Sequence, residues 1–304
     1  MKLMDYRYLV SGRDVEFRLY VLGDVHIGAL NCAEVELIKL VKHIQKDPYA
    51  IWVGGGDYAD AVILNDAARF DVNTLPNWML TGNPQTIKER IGDILFAQRQ
   101  RFVKLVMPIR DKCLGLIEGN HEFAIFKHHN RDHMSELCRM LDVTNLTDCA
   151  FLRLRFLRNP MRSKGSGTSK DRGFPSAFCT VFICHGHGGG RTAGAEPVKL
   201  QRLAMDKDVD IVLTGHSHTY HILPPIVQLG IPRAGTLPQD PMVHEKHVAN
   251  WGSFLYTYKT GASTYSSREN YPVRPMYTVE TMISPWRRNR TKEFVRIQMN
   301  GIKL

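Results

Sequence analysis

The sequence predicts an α/β protein, and three observations carry that prediction. Short apolar runs alternate along the chain with stretches of helical periodicity. The early apolar runs stop at glycine, as strands feeding tight turns do. Hydrophobic residues make up 43% and charged residues 23%, a globular composition that excludes wholesale disorder. At 304 residues the chain can bury a sizeable core, and no convincing linker or repeat divides it. A single domain over 1–304 is the expectation.

Phe17 to Leu22 predicts the first clear strand, ended by Gly23. Cys32 to Gln45 has apolar residues at Val35, Leu37, Ile38, Val41 and Ile44, which is helical spacing. Ala50 to Val53 predicts a second strand, followed by three glycines. Thr86 to Val106 predicts one long helix, Leu114 to Ile117 a buried strand, and Met134 to Leu141 another helix. Phe151 to Phe156 alternates with period two, so one face is buried and the other wet. Phe178 to Cys184 predicts a buried strand and Glu196 to Met205 a helix with Pro197 in its first turn. Asp210 to Leu213 is a further strand, and from Ile226 onward shorter strands are expected between Gly and Pro. Residues 66–85 lack periodicity and read as an insertion. Residues 222–304 read as a C-terminal part that completes the sheets and adds a basic extension.

Lys and Arg total 40 against 30 Asp and Glu, a net charge of +10. That balance favours an anionic partner, nucleic acid included. Residues 158–174 form a basic loop by composition, and Arg287, Arg288 and Arg290 form a second cluster; either could track a phosphate backbone, but a solvated surface is the commoner account of such residues. Six cysteines without C-x-x-C spacing favour free thiols. Met1 to Glu16 holds no signal-peptide core, and no apolar run is long enough to span a bilayer. A cytoplasmic protein without a membrane partner is expected; its oligomeric state is not legible.

Five motifs sit where these strands end: Gly23-Asp24-Val25-His26, Gly56-Asp57-Tyr58-Ala59-Asp60, Gly119-Asn120-His121-Glu122, His185-Gly186-His187 and Gly215-His216-Ser217-His218. In α/β folds the loops at the carboxyl ends of strands bind ligands. Asp, His and Asn donate to borderline divalent metals such as Mn, Fe and Zn. A pair of ions about 3.5–4 Å apart, sharing one carboxylate, would use seven groups. The motifs supply Asp24, His26, Asp57, Asn120, His185, His216 and His218.

In order and content these motifs resemble those of the calcineurin-like metallophosphoesterases, from Leu19 to about His221. The C-terminal part, through Gly252-Ser253-Phe254, Pro272 and Pro275, is similar to phage-encoded members, which would act in a host cytoplasm. The resemblance implies a four-layer α-β-β-α sandwich of two mixed β-sheets flanked by helices. It implies two divalent ions, manganese first among Mn, Fe, Zn, Ni and Co. Asp24, His26 and His218 would hold one ion, Asn120, His185 and His216 the other, with Asp57 bridging. His121 would protonate the leaving oxygen of a phosphate-ester substrate, with the Asp60 carboxylate orienting its ring, and a metal-activated water would attack.

The departures narrow the function. Asp60 is followed by Ala61 and Val62, not by the Arg-Gly of the protein phosphatases. After Gly-Asn-His-Glu come Phe123, Ala124, Ile125 and Phe126, where phage-type members carry an arginine. Phosphate contacts would then fall to Lys127, His128 or the basic loop. A phosphodiesterase or nuclease is favoured, with a phosphomonoesterase as the alternative and a non-catalytic binding module as the rival from another class. His187 is expected as a pocket wall, and Gly188 to Arg191 as either an anion nest or a plain turn. His128, His129 and His133 are expected on a solvated helix face. Glu122 would be a structural acceptor or a partner that tunes the site.

Overall fold

The computed structural model describes residues 1–10, 14–63, 70–158, 176–188, 194–230, 242–260, 264–268, 270–285 and 295–304. The chain begins with β1 (Lys2–Val10), β2 (Phe17–Leu22), α1 (Glu34–Lys46) and β3 (Ala50–Gly54). Helices α2 (Asn77–Leu80), α3 (Pro84–Gly92) and α4 (Ile94–Val106) precede β4 (Cys113–Leu116). Then come α5 (Asn120–His129), α6 (His133–Leu141), β5 (Cys149–Arg158), β6 (Ser176–Cys184), α7 (Ala195–Met205) and β7 (Ile211–Thr214). The C-terminal part supplies β8 (Tyr220–Ile222), β9 (Ile226–Gly230), β10 (Met242–Trp251), α8 (Tyr265–Arg268), β11 (Tyr277–Ser284) and β12 (Arg296–Lys303).

Two mixed sheets result. One is seven-stranded and runs β1-β5-β6-β7-β10-β8, with β9 also on β10; the other is five-stranded and runs β12-β11-β2-β3-β4. The pairs β2–β3, β3–β4, β6–β7 and β7–β10 are parallel. Their carboxyl ends therefore point one way in each sheet, which gathers the motif loops.

Side-chain alternation explains the layering. Leu19 and Val21 of β2 and Ile51 and Val53 of β3 share one buried cluster with Leu152, Leu154, Val181, Ile183 and Leu213 of the other sheet. The opposite face of the five-stranded sheet, Tyr20, Leu22 and Trp52, packs on Leu37 and Val41 of α1, Phe102 of α4 and Leu137 of α6. Phe182, Val212 and Val248 on the outer face of the seven-stranded sheet pack on Leu200 and Ala204 of α7. The order of layers is α-β-β-α. Each fully buried Leu or Val contributes about 1.5–3 kcal/mol, so the inter-sheet cluster and the cluster beneath α1, α4 and α6 carry the core together.

Two details differ from the sequence reading. The expected Thr86–Val106 helix is two helices. Asp93 leaves helical geometry at φ −138°, and its carboxylate accepts the Phe96 N–H at 3.0 Å, capping α4. The later strands are not short: β10 has ten residues, and β11 and β12 have eight each. Residues 70–85 are ordered by packing, with Leu75 and Met79 against Ile94 and Ala97.

Candidate metal centre

The site forms where the ends of β2, β3, β6 and β7 meet the start of α5. Asp24, His26, Asp57, His216 and His218 all have φ between 50° and 69°, in the left-handed region. Non-glycine residues there cost about 1–3 kcal/mol each and persist only when their surroundings hold them. Here the loops lace together: Asp24 N donates to Gly56 O at 2.9 Å, Val25 N to Asp57 O at 2.9 Å and Phe254 N to Asp24 O at 3.0 Å.

Each carboxylate has one oxygen pinned and one aimed at histidines. Asp24 Oδ2 accepts Trp251 Nε1–H at 2.6 Å and the His216 N–H at 3.1 Å. Its Oδ1 is buried with no hydrogen-bond donor, 3.3 Å from His218 Nε2. Asp57 Oδ1 accepts the His121 N–H at 2.9 Å. Its Oδ2 lies 3.2 Å from His185 Nε2, 3.8 Å from His26 Nε2 and 4.0 Å from His121 Nε2. Asn120 Oδ1 faces His185 Nε2 at 3.0 Å and His216 Nδ1 at 2.7 Å.

The backbone sets two histidine tautomers. His185 Nδ1–H donates to Gly55 O at 2.7 Å, and His121 Nδ1–H to Asp60 O at 2.5 Å. Both leave Nε2 facing the centre. The Asp60 carboxylate does not meet His121 as the resemblance implied. It faces His26, with Oδ1 3.7 Å from Nδ1, while the Asp60 carbonyl orients His121.

Charge follows from this crowding. Burial alone would push the Asp57 carboxyl up, but His121 and His185 together hold it well below the usual range. Asp24 is likewise lowered, burial being outweighed by His185 and His218. Burial opposes protonation of His185, yet Asp57 and Asp24 raise it to about 10. His216 is pushed down to about 4 by burial and by the neighbouring His185. Both carboxylates are held toward the ionised form by the histidines around them.

The donor set fits divalent cations. With Nδ1–H committed to Gly55, His185 Nε2 points at two acceptors, Asn120 Oδ1 and Asp57 Oδ2. His26 Nε2 and His218 Nε2 face each other at 3.1 Å, and Asp24 Oδ1 has no donor. Too many acceptors for the donors available is what a cation resolves. Three groups, Asp24-His26-His218, His26-Asp57-His121 and Asp57-His185-His216, each bring ligand atoms within 4.8 Å of one another.

The model of calcineurin-like phosphoesterases matches residues 17–220. The chain belongs to the calcineurin-like phosphoesterase family. The family is in general one of metal-dependent phosphoesterases, and the site's His and Asp clusters agree with divalent metal binding. Solved structures similar to the chain include the calcineurin-like phosphoesterase YfkN from Bacillus subtilis, at 12% identity, TM-score 0.39, over 95% of this chain and 91% of that one. Vps29 from Chaetomium thermophilum is 12% identical, with TM-score 0.29, over 94% and 98%. A predicted phosphoesterase from Streptococcus pneumoniae is 10% identical, with TM-score 0.26, over 94% and 99%. No curated protein matches the sequence.

Two site residues escaped the sequence reading or were only half seen. Trp251 ends β10, outside the span matched to the family, and its indole fixes Asp24. Gly23, Gly55 and Gly215 pack on that ring, and a Cβ on Gly215 would lie 2.1 Å from Trp251 Cε2. Glu122 is fully buried and accepts the N–H groups of Asp57 at 2.9 Å, Tyr58 at 2.8 Å and Gly119 at 3.0 Å. It clamps the β3 loop to the start of α5, and burial and Asp57 raise it to about 7. Gly119 permits this approach, since its Cβ would sit 2.1 Å from Asp57 Oδ1. A tripled backbone contact by one acid was legible only as Gly-Asn-His-Glu, which also reads as a turn.

Other candidates lie apart. His187 and His128 are exposed, and His129 is half-buried. His133 is not on a solvated face: it is 1% exposed, with Nδ1 3.4 Å from Arg99 Nη1, because α6 turns that residue toward α4. The basic stretch 159–174, residues 189–191 and Arg287, Arg288 and Arg290 lie outside the described residues. All six cysteines are free. Among the described residues no helix is long and apolar enough to cross a membrane.

Proposed function

We propose that this chain is a dinuclear metal-dependent phosphoesterase that prefers phosphodiesters, nucleic acid among them. The observation that carries the reading is Asp57, whose free oxygen lies within 4.0 Å of histidines from three separate segments, two loops and the first turn of α5. Asp24, His26 and His218 would hold one ion, Asn120, His185 and His216 the other, and Asp57 would contact both, with manganese as the expected metal. The cations would supply Lewis acidity toward the phosphoryl oxygens and a lowered pKa for the attacking water.

The chain's own groups supply the rest. His121 presents Nε2 while the Asp60 carbonyl holds Nδ1–H. Burial opposes its protonation, but Asp57 and Asp60 raise its pKa, which favours the acid form. As the P–O bond to water forms and the bond to the leaving group breaks, His121 gives its proton to the departing oxygen. The diester preference rests on the net charge of +10 and on Ala61 and Val62 standing where the protein phosphatases carry Arg-Gly. Six free thiols fit a reducing compartment such as the cytoplasm.

The test offers purified protein with Mn²⁺ bis-p-nitrophenyl phosphate and p-nitrophenyl phosphate. Faster turnover of the diester supports the reading. Preference for the monoester makes the chain a phosphomonoesterase, and no metal-dependent turnover of either removes the enzyme.

A further inference from the structure

The helix that begins at the centre continues outward as an uncovered aromatic row. On α5, Glu122 and Ile125 face inward, at 0% and 3% exposure. Phe123 and Phe126 face out, at 50% and 49% exposure, and Lys127 is exposed beside them. Neither ring joins an apolar cluster of the described residues. Residues three and four apart are neighbours on a helix surface. Asn120, Phe123, Phe126 and Lys127 therefore form one continuous row, with its first member against His185 and His216.

We infer that this row is a stacking platform for the bases of single-stranded nucleic acid, which threads its phosphates past the metal centre. The inference rests on the phosphodiesterase reading above and names its substrate class. Phe123 and Phe126 are offset by about 4.5 Å along the helix axis, so the two rings follow one another outward from the centre. Half-exposed rings offer a face that any base can use. The charge agrees: the chain carries +10, and Lys127 stands one turn beyond Phe123 on the same face. Two rings are far too small an area for a stable protein interface, which takes on the order of 1,000 Å². A duplex hides its base faces and should compete poorly.

The experiment measures anisotropy of fluorescein-labelled oligothymidylate with the full chain loaded with Mn²⁺, and again in EDTA, where no strand is cut. An abasic strand of equal length carries the same phosphates without bases. Phe123→Ala/Phe126→Ala should weaken thymidylate binding about a hundredfold, roughly tenfold for each ring, and leave abasic binding unchanged. Lys127→Ala should weaken both strands alike and reduce the salt slope by about 0.7. Leu229→Ser, on the exposed and distant β9, serves as the control for loss of surface apolarity. No binding by the unmodified chain, or equal losses on thymidylate and abasic strands, overturns the platform. Metal-dependent hydrolysis of bis-p-nitrophenyl phosphate without strand binding removes only the platform. Strand binding that depends on the phenylalanines without any hydrolysis removes only the enzyme.

Discussion

Asp24 and Asp57 occupy the same place on neighbouring strands, two residues beyond β2 and three beyond β3, with φ of 50° and 52°. Their supports differ. Asp24 is held from across the sandwich by the Trp251 indole and by the His216 N–H, and its free oxygen meets His218. Asp57 is held from its own sheet by the His121 N–H and the Glu122 clamp, and its free oxygen meets three histidines. The lesson is one of role: similar turns would serve as a terminal ligand where one histidine converges and, on the reading proposed above, as a shared ligand where several do.

The largest effect should come from breaking the shared member. Asp57→Asn should lower diester turnover more than about a thousandfold, since several kcal/mol of metal stabilisation are lost. Metal analysis of the purified variant should show both ions gone, whereas Asp24→Asn should retain one. Trp251→Phe keeps the ring but removes the donor to Asp24. Metal affinity at that half should fall about 10- to 100-fold, read by calorimetric titration, with the other half unchanged. Glu122→Gln is the counterpart on the Asp57 side. Replacing a buried acceptor of three N–H groups should cost about 1–3 kcal/mol of stability, read by urea unfolding.

The smallest effect at neutral pH lies away from both carboxylates. Burial first, then Arg99, lowers His133 to about 3. Its folded pKa is below the ordinary value near 6.5, so the unfolded chain binds the extra proton between those limits. Stability should fall as the pH drops from about 6.5 toward 3. His133→Gln should flatten that part of the urea-midpoint profile while metal content stays constant. An unchanged profile would show that the imidazole takes up its proton without unfolding.

Much of the centre was legible because each motif follows an apolar strand and carries its own turn glycine. Asp24, His26, Asp57, Asn120, His185, His216 and His218 all announce themselves within four residues of a strand end. Trp251 did not, because it acts through β10. That strand finds β7 in parallel and β8 and β9 antiparallel, pairings that local periodicity does not encode. β1 was missed for a related reason. It is an edge strand whose Asp5 and Arg7 face out while Met4, Tyr6 and Tyr8 only partly reach the core. Arg153 and Arg155 of β5 bind Asp5 at 2.6 and 2.9 Å, so its order comes from a partner about 150 residues away. The break at Asp93 was hidden because both helices share an apolar face across it. The role of the Asp60 carbonyl was hidden because backbone contacts carry no side-chain signature.

The central claim is that Asp57 joins two cations. Anomalous diffraction from crystals grown with Mn²⁺ tests it most directly. The expected result is two peaks about 3.5–4 Å apart with an Asp57 oxygen in contact with both. A single peak, or two peaks that Asp57 does not touch, would contradict the claim.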